Sequence, residues 1–148
     1  MSMEGSVLTA RDVMTSPVVT ASPDTRVDEI VRLMLENNIG SVVIVGSKKE
    51  VLGIITEKDL IAKVLGKRRD QRNTLAKEIM STPVITVEPD TPVSEVVKLM
   101  QSKAIGHIPV VENGRLIGII AEGDVILFAP EFLEIARIRR EAKRGLKR

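Results

Sequence analysis

Apolar residues recur along this chain in two spacings, and the spacings alternate. Val27, Ile30, Val31, Met34 and Leu35 fall three or four apart, as one face of a helix requires, and Val93, Val96, Val97 and Met100 do so again. After each helical stretch comes a run of branched apolar residues, Ser41 to Val45 and His107 to Val111. A polar turn follows (Gly46 to Lys49, Glu112 to Gly114), then a second apolar run ending at Ile55 or Ile120. Runs of this length, dense in Val and Ile and bounded by Gly and charged residues, predict strands. Shorter runs after a proline, Val18-Val19-Thr20 and Val84-Ile85-Thr86, predict a strand ahead of each helix. Closing helices are expected over about Glu57 to Leu65 and Glu122 to Phe128. Thr25 and Thr91 are the expected N-caps of the first helices, with Asp28 three residues after the first and Pro92 at the opening position of the second.

The order strand, helix, strand, strand, helix therefore occurs twice, and the residues repeat with it. Arg11-Asp12-Val13-Met14-Thr15-Ser16-Pro17-Val18-Val19-Thr20 returns sixty-six residues later as Lys77-Glu78-Ile79-Met80-Ser81-Thr82-Pro83-Val84-Ile85-Thr86. Pro23-Asp24-Thr25 matches Pro89-Asp90-Thr91 at the same offset. One residue fewer in the second strand-to-strand turn changes the offset to sixty-five between Gly53 and Gly118. This is an internal duplication. It divides the chain into a first repeat with its N-terminal segment (1–69), a second repeat (70–128) and a C-terminal segment (129–148). The class is α/β (α+β). Neither repeat, at about sixty residues, can bury a sufficient core alone, so the two are expected to pack on one another.

Composition narrows the class further. There is no cysteine among the 148 residues, which excludes a disulfide scaffold and thiolate chemistry and favours a reducing, cytoplasmic setting. No signal peptide is expected from Met1 to Gly5, and no apolar run approaches the ~20 residues of a membrane helix. The net charge of +2 is small but unevenly placed. Residues 129–148 hold seven Lys or Arg against three Glu, leaving the remainder at −2. There Phe128, Phe132, Ile135, Ile138 or Arg139, Ala142 and Leu146 outline one face of an expected basic amphipathic helix, with Pro130 in its first turn. Between the repeats, Gly66 to Asn73 carries Lys67, Arg68, Arg69 and Arg72 and reads as a solvated linker or a phosphate-facing loop.

The candidate chemistry sits where strand becomes helix. Gly53-Ile54-Ile55-Thr56-Glu57-Lys58-Asp59-Leu60 is matched by Gly118-Ile119-Ile120-Ala121-Glu122-Gly123-Asp124-Val125, with an aspartate four residues after the last strand isoleucine in both. Turns of this kind are where α/β proteins commonly hold ligands. Thr56 and Asp59 also form a capping box, which alone would account for both. In the second copy Ala121 lacks the hydroxyl while Asp124 stays. His107 is the only histidine, so no metal site and no nucleophile with its base is indicated, and no enzyme is expected. Gly46-Ser47-Lys48-Lys49 lacks the glycine spacing of a phosphate-binding loop.

Taken in register, Val13-Met14-Thr15-Ser16-Pro17-Val18 and its echo, Ile39-Gly40, Ala104-Ile105-Gly106-His107-Ile108-Pro109-Val110 and the two Gly-Ile-Ile turns resemble a pair of CBS domains (named after cystathionine β-synthase) over roughly Leu8 to Phe128. The resemblance implies two CBS motifs packed sheet to sheet about a pseudo-two-fold axis. It implies a regulatory sensor binding AMP, ADP or ATP, or alternatively S-adenosylmethionine, with no required cofactor. It also implies a homodimer that modulates a partner protein. By the same resemblance, Asp59 and Asp124 accept the ribose hydroxyls, and Thr56 meets a phosphate or ribose oxygen. A carboxylate suits vicinal hydroxyls because it accepts at two oxygens. One cleft would join Thr56 and Asp59 to Val84, Ile85, His107 and Pro109, with His107 at a phosphate. The other would join Asp124 to Val18, Val19 and Ser41, with Lys58 reaching a phosphate. Ile54 and Ile119, on the strands leading into the turns, complete the candidate contacts. The first turn carries the fuller set and is expected to be the stronger site. The competing expectation is a structural or nucleic-acid interaction protein working through its basic tail, by salt-sensitive phosphate contacts.

Overall fold

A computed structural model describes residues 7–126 together with residues 138 and 140–143. In chain order the elements are α1 (Ala10–Val13), β1 (Thr20–Ala21), α2 (Val27–Asn37), β2 (Ser41–Val45), β3 (Val51–Thr56), α3 (Glu57–Asp59), which continues as a π-helix over Leu60–Leu65, α4 (Ala76–Ile79), α5 (Val93–Lys103), β4 (His107–Glu112), β5 (Arg115–Ala121) and α6 (Glu122–Ile126). The basic helix expected over 129–148 lies outside the described residues except for Ile138 and 140–143, which are helical and exposed.

In the first repeat β1 pairs parallel with β2, which pairs antiparallel with β3; in the second, β4 pairs antiparallel with β5. The predicted first strands are shorter than expected. The Val18 to Thr20 run contributes only Thr20 and Ala21, and in the second repeat the Val84 to Thr86 strand is replaced by a single parallel bridge, Val87 to Val110. The prolines that open both runs, Pro17 and Pro83, have no N–H to give a ladder.

The helices bury the expected stripes, with one exception. Val27, Ile30 and Met34 of α2, and Val93, Val96, Val97 and Met100 of α5, are in the core, whereas Leu35 is 77% exposed. Nor are Thr25 and Thr91 the N-caps. Those positions belong to Arg26 and Pro92, and the threonine hydroxyls accept instead from the N–H groups of Ser22 and Glu88, closing the preceding turn. Main chain from elsewhere satisfies the helix starts. Val27 N and Asp28 N donate to the carbonyls of Thr74 and Gln71, and Val93 N donates to that of Leu8.

Those bonds belong to a larger exchange. The N-terminal segment packs on the second repeat: Ala10 N and Arg11 N donate to Thr91 and Pro89, and Ala10 and Val13 join the core of Val93, Val96, Ile108 and Ile120. Reciprocally, Ala76 N and Lys77 N donate to Thr25 and Pro23, and Ala76 and Ile79 join the core of Val27, Ile30, Ile44 and Ile55. Paired bridges Thr15 to Ile119 and Ser81 to Ile54 repeat the symmetry. Between the sheets lies a third cluster: Val43, Ile54 and Leu116, with Val18, Val84 and Ile119 against them. The linker 66–73 is exposed; Arg69 pairs with Glu78 at 3.5 Å, and no linker residue lines either cleft described below.

The crossing segments explain the glycines of the two turns. A Cβ on Gly53 would overlap the Met80 side chain, and one on Gly118 would overlap Met14. Gly53→Val should therefore lower stability by about 1–3 kcal/mol through overpacking. In urea unfolding, the double variant Gly53→Val/Met80→Ala should lose less than the sum of the two single changes; strict additivity would show that the methionine is not the obstacle.

Candidate ligand clefts between the repeats

The two strand-to-helix turns are built alike. Ser41 pairs with Thr56 across β2 and β3, and His107 pairs with Ala121 across β4 and β5. The first helical N–H then donates back to a glycine carbonyl, Glu57 N to Gly40 at 3.2 Å and Glu122 N to Gly106 at 2.8 Å. A Cβ at Gly40 would stand 2.7 Å from Glu57 Oε1 and 3.4 Å from His107 Nε2, so a side chain there would have to displace the Glu57 carboxylate. These turns place each aspartate at a cleft whose opposite wall comes from the other repeat.

The Asp59 cleft, about 510 Å³, is lined by Ile54, Thr56, Lys58, Asp59, Lys63, Ser81 and the segment Ala104 to His107. The carboxylate is only 7% exposed and its oxygens are occupied. Oδ2 accepts from Thr56 N at 2.9 Å, while Oδ1 accepts from Ser81 Oγ at 2.9 Å and faces Lys63 Nζ at 3.0 Å. Lys63 also donates to the Ile79 carbonyl at 2.9 Å, tying the π-helical segment to the end of α4. The capping box is present, with Asp59 N on Thr56 Oγ1 at 3.4 Å.

The Asp124 cleft is smaller, about 280 Å³, and brings together Asp124, Val18, Val19, Ser41 and Ile119, with Thr15, Asn38 and Ala121. Asp124 Oδ2 accepts from Ala121 N at 2.8 Å. Among the described residues its other oxygen meets no donor.

Several expected positions need correction. Lys58 lines the Asp59 cleft, because it stands in the first turn of the helix that Asp59 belongs to. Val84, Ile85 and Pro109 line neither cleft. Val84 is drawn into the cluster between the sheets, and Pro109 pairs with Ile119, a member of that cluster. His107 belongs to both clefts rather than one, since its strand partner Ala121 places it beside Asp124 while its ring reaches the Gly40 and Glu57 side. Sequence reasoning passed over Lys63 and Ser81. Both had signals: Lys63 stands one turn after Asp59, and Ser81 is the counterpart of Thr15.

Burial holds His107 below its ordinary value of 6.5, against the opposing pull of Glu57, Glu122 and Asp124. Among the described residues no group of three or more potential ligands could hold a metal ion, and no helix is long and apolar enough to cross a membrane.

Comparison with known proteins agrees with this architecture. The family model described as CBS domain matches residues 10–66 and 76–131. An uncharacterised protein of Methanopyrus kandleri is 45% identical over 90% of this chain and 67% of its own length. A mitochondrial CBS domain-containing protein of Arabidopsis thaliana is 36% identical over 70% of this chain, which spans only 52% of that relative. A solved CBS domain pair in complex with 5′-methylthioadenosine and S-adenosyl-L-methionine superposes with a TM-score of 0.76 at 31% identity, covering 84% of this chain and 98% of that one. The fold and its internal duplication define a tandem-repeat module with inter-repeat clefts. The chain belongs to the CBS-domain family and carries two CBS domains.

A depressed histidine value has a sign that can be checked. The unfolded chain takes up a proton on His107 near pH 6.5 and the folded chain only at lower pH, so stability falls as pH drops below that value. The urea midpoint of His107→Gln should fall less than that of the wild-type chain between pH 7.5 and 5; parallel curves would mean that the ring protonates without cost in place.

Proposed function

We propose that this chain is a regulatory module that binds adenosine-based ligands between its repeats and reports their presence to a partner protein as a homodimer. The observation that carries the reading is the repeat-related pair Asp59 and Asp124, each at the start of a helix and each in a cleft closed by the opposite repeat. A carboxylate there accepts from vicinal ribose hydroxyls, and the apolar residues beside it, Ile54 in one cleft and Val18, Val19 and Ile119 in the other, suit an adenine ring. The bound S-adenosyl-L-methionine and 5′-methylthioadenosine of the structural relative support adenosine as the common part, with AMP, ADP and ATP as the phosphorylated candidates.

The regulatory part follows from where a ligand would sit. Contacting both repeats, it would favour one relative arrangement of them over another, and only such a difference in affinity shifts a population. The dimer surface we assign to the exposed apolar residues Leu35, Ile61 and Leu65, which lie on α2 and on the π-helical segment after Asp59. That placement puts the proposed dimer contact one turn from a ligand carboxylate.

Calorimetry with AMP, ATP and S-adenosylmethionine on the full chain should find at least one ligand bound at about 100 μM or tighter. Asp59→Asn/Asp124→Asn together should weaken that binding at least tenfold, about 1.4 kcal/mol. Absence of binding by all three would remove the sensor reading. Replacing both Ile61 and Leu65 with Glu should convert a dimer to a monomer in sedimentation velocity; an unchanged sedimentation coefficient would place the interface elsewhere.

A further inference from the structure

The two clefts differ in one respect that their shared ancestry hides, the charge on their walls. Both cations of the Asp59 cleft come from its own helix, Lys58 from the first turn and Lys63 from the next, and they balance the carboxylates of Glu57 and Asp59 there; Lys63 is paired with Asp59 at 3.0 Å, which leaves Lys58 as the cation for a ligand. In the repeat register, Lys58 corresponds to Gly123 and Lys63 to Phe128. Both cations are thus lost from the second copy by sequence. The aspartate is retained. Among the described residues the Asp124 cleft is lined by no Lys or Arg at all, and its titratable groups are Asp124 and His107.

Its neutral polar groups are Thr15, Asn38 and Ser41. These can bind hydroxyls and amines but supply no charge to balance a phosphate. His107 does not fill the gap, because burial favours its neutral form and the carboxylates of Glu57, Glu122 and Asp124 are the charges that act on it. Because no Lys or Arg is among the described residues that line this cleft, a phosphate in it would face a carboxylate across a partly enclosed space, where charge is poorly screened. A sulfonium or an uncharged thioether at the same place would not. The cleft is also the smaller of the two, about 280 Å³ against about 510 Å³.

We propose that the two clefts divide adenosine ligands by charge: the Asp59 cleft takes those with a 5′-phosphate, and the Asp124 cleft takes those that are neutral or cationic at the 5′ position. This rests on the adenosine reading above and refines it. The chain then reports two classes of metabolite at once, one through each repeat junction. Lys58 and Gly123 are the residues that set the difference, since they occupy the same place in the two turns.

The substitution that tests this adds a side chain where space exists. A Cβ at Gly123 meets nothing within 4 Å among the described residues, so Gly123→Lys installs the missing cation without displacing any of them. Three probes, AMP, 5′-methylthioadenosine and S-adenosylmethionine, are titrated into the full-length wild-type chain, Asp59→Asn, Asp124→Asn and Gly123→Lys. In the wild type, AMP should lose about tenfold in affinity with Asp59→Asn and little with Asp124→Asn, and the two phosphate-free ligands should show the reverse. Gly123→Lys should create or strengthen an AMP site about tenfold and weaken S-adenosylmethionine by a similar factor. AMP binding that depends on Asp124 in the wild type, or a Gly123→Lys chain with unchanged ligand preference, overturns the division while leaving the adenosine reading standing. Failure of all three probes to bind the wild type overturns both. Should Asp59→Asn fail to fold, the Gly123→Lys arm decides alone, because it touches no buried pair.

Discussion

Each repeat of this chain is completed by a segment that belongs, in sequence, to the other. The stretch before the first repeat inserts Ala10 and Val13 beneath α5, and the stretch after the linker inserts Ala76 and Ile79 beneath α2, both held by main-chain hydrogen bonds to the turn ahead of the helix. Burial of four fully or nearly fully covered apolar side chains couples the two cores directly, so that neither repeat closes without the partner's preamble. Everything at the clefts follows from that exchange. The same preambles run on into Thr15 and Ser81, which bridge to Ile119 and Ile54 and so deliver one hydroxyl to each cleft from the opposite repeat.

A site made in this way is tied to the relative position of the repeats. The Asp59 side shows the connection most plainly. Its carboxylate is bonded to Ser81 and Lys63, and Lys63 in turn holds the Ile79 carbonyl at the end of α4. A ligand hydroxyl arriving at Asp59 would compete with contacts that join the first repeat's closing helix to the second repeat's preamble. The helix itself departs from α geometry at Leu60 and runs as a π-helix to Leu65, an irregularity often found at functional positions. On the Asp124 side the described residues give the carboxylate one partner, Ala121 N.

The two carboxylates differ in their protein partners once side chains are in place. From the residues alone, Thr56, Asp59 and His107 made the first turn the fuller site. In three dimensions those groups are largely engaged with one another or with Lys63 and Ser81, and His107 stands between the clefts rather than in one. The polar residues that made the first turn conspicuous also satisfy each other there. A polar group already hydrogen-bonded inside the protein offers a ligand less than an unpartnered one, whatever its identity.

What the sequence determined by itself was everything that depends on local spacing: the duplication, the apolar stripes of α2 and α5, strands β2 to β5, the two aspartate turns and the family they indicate. These are legible because a helix face and a buried strand each impose a period on neighbouring residues. The N-caps and the places of Val84 and Pro109 were not, since they depend on residues far along the chain. Main-chain carbonyls of Leu8, Gln71 and Thr74 took the role assigned to the threonines, and packing between sheets drew Val84 and Pro109 away from the cleft. Which repeat's wall faces which aspartate was decided by the exchange of preambles, because nothing in local spacing tells a segment that its core lies in the other repeat.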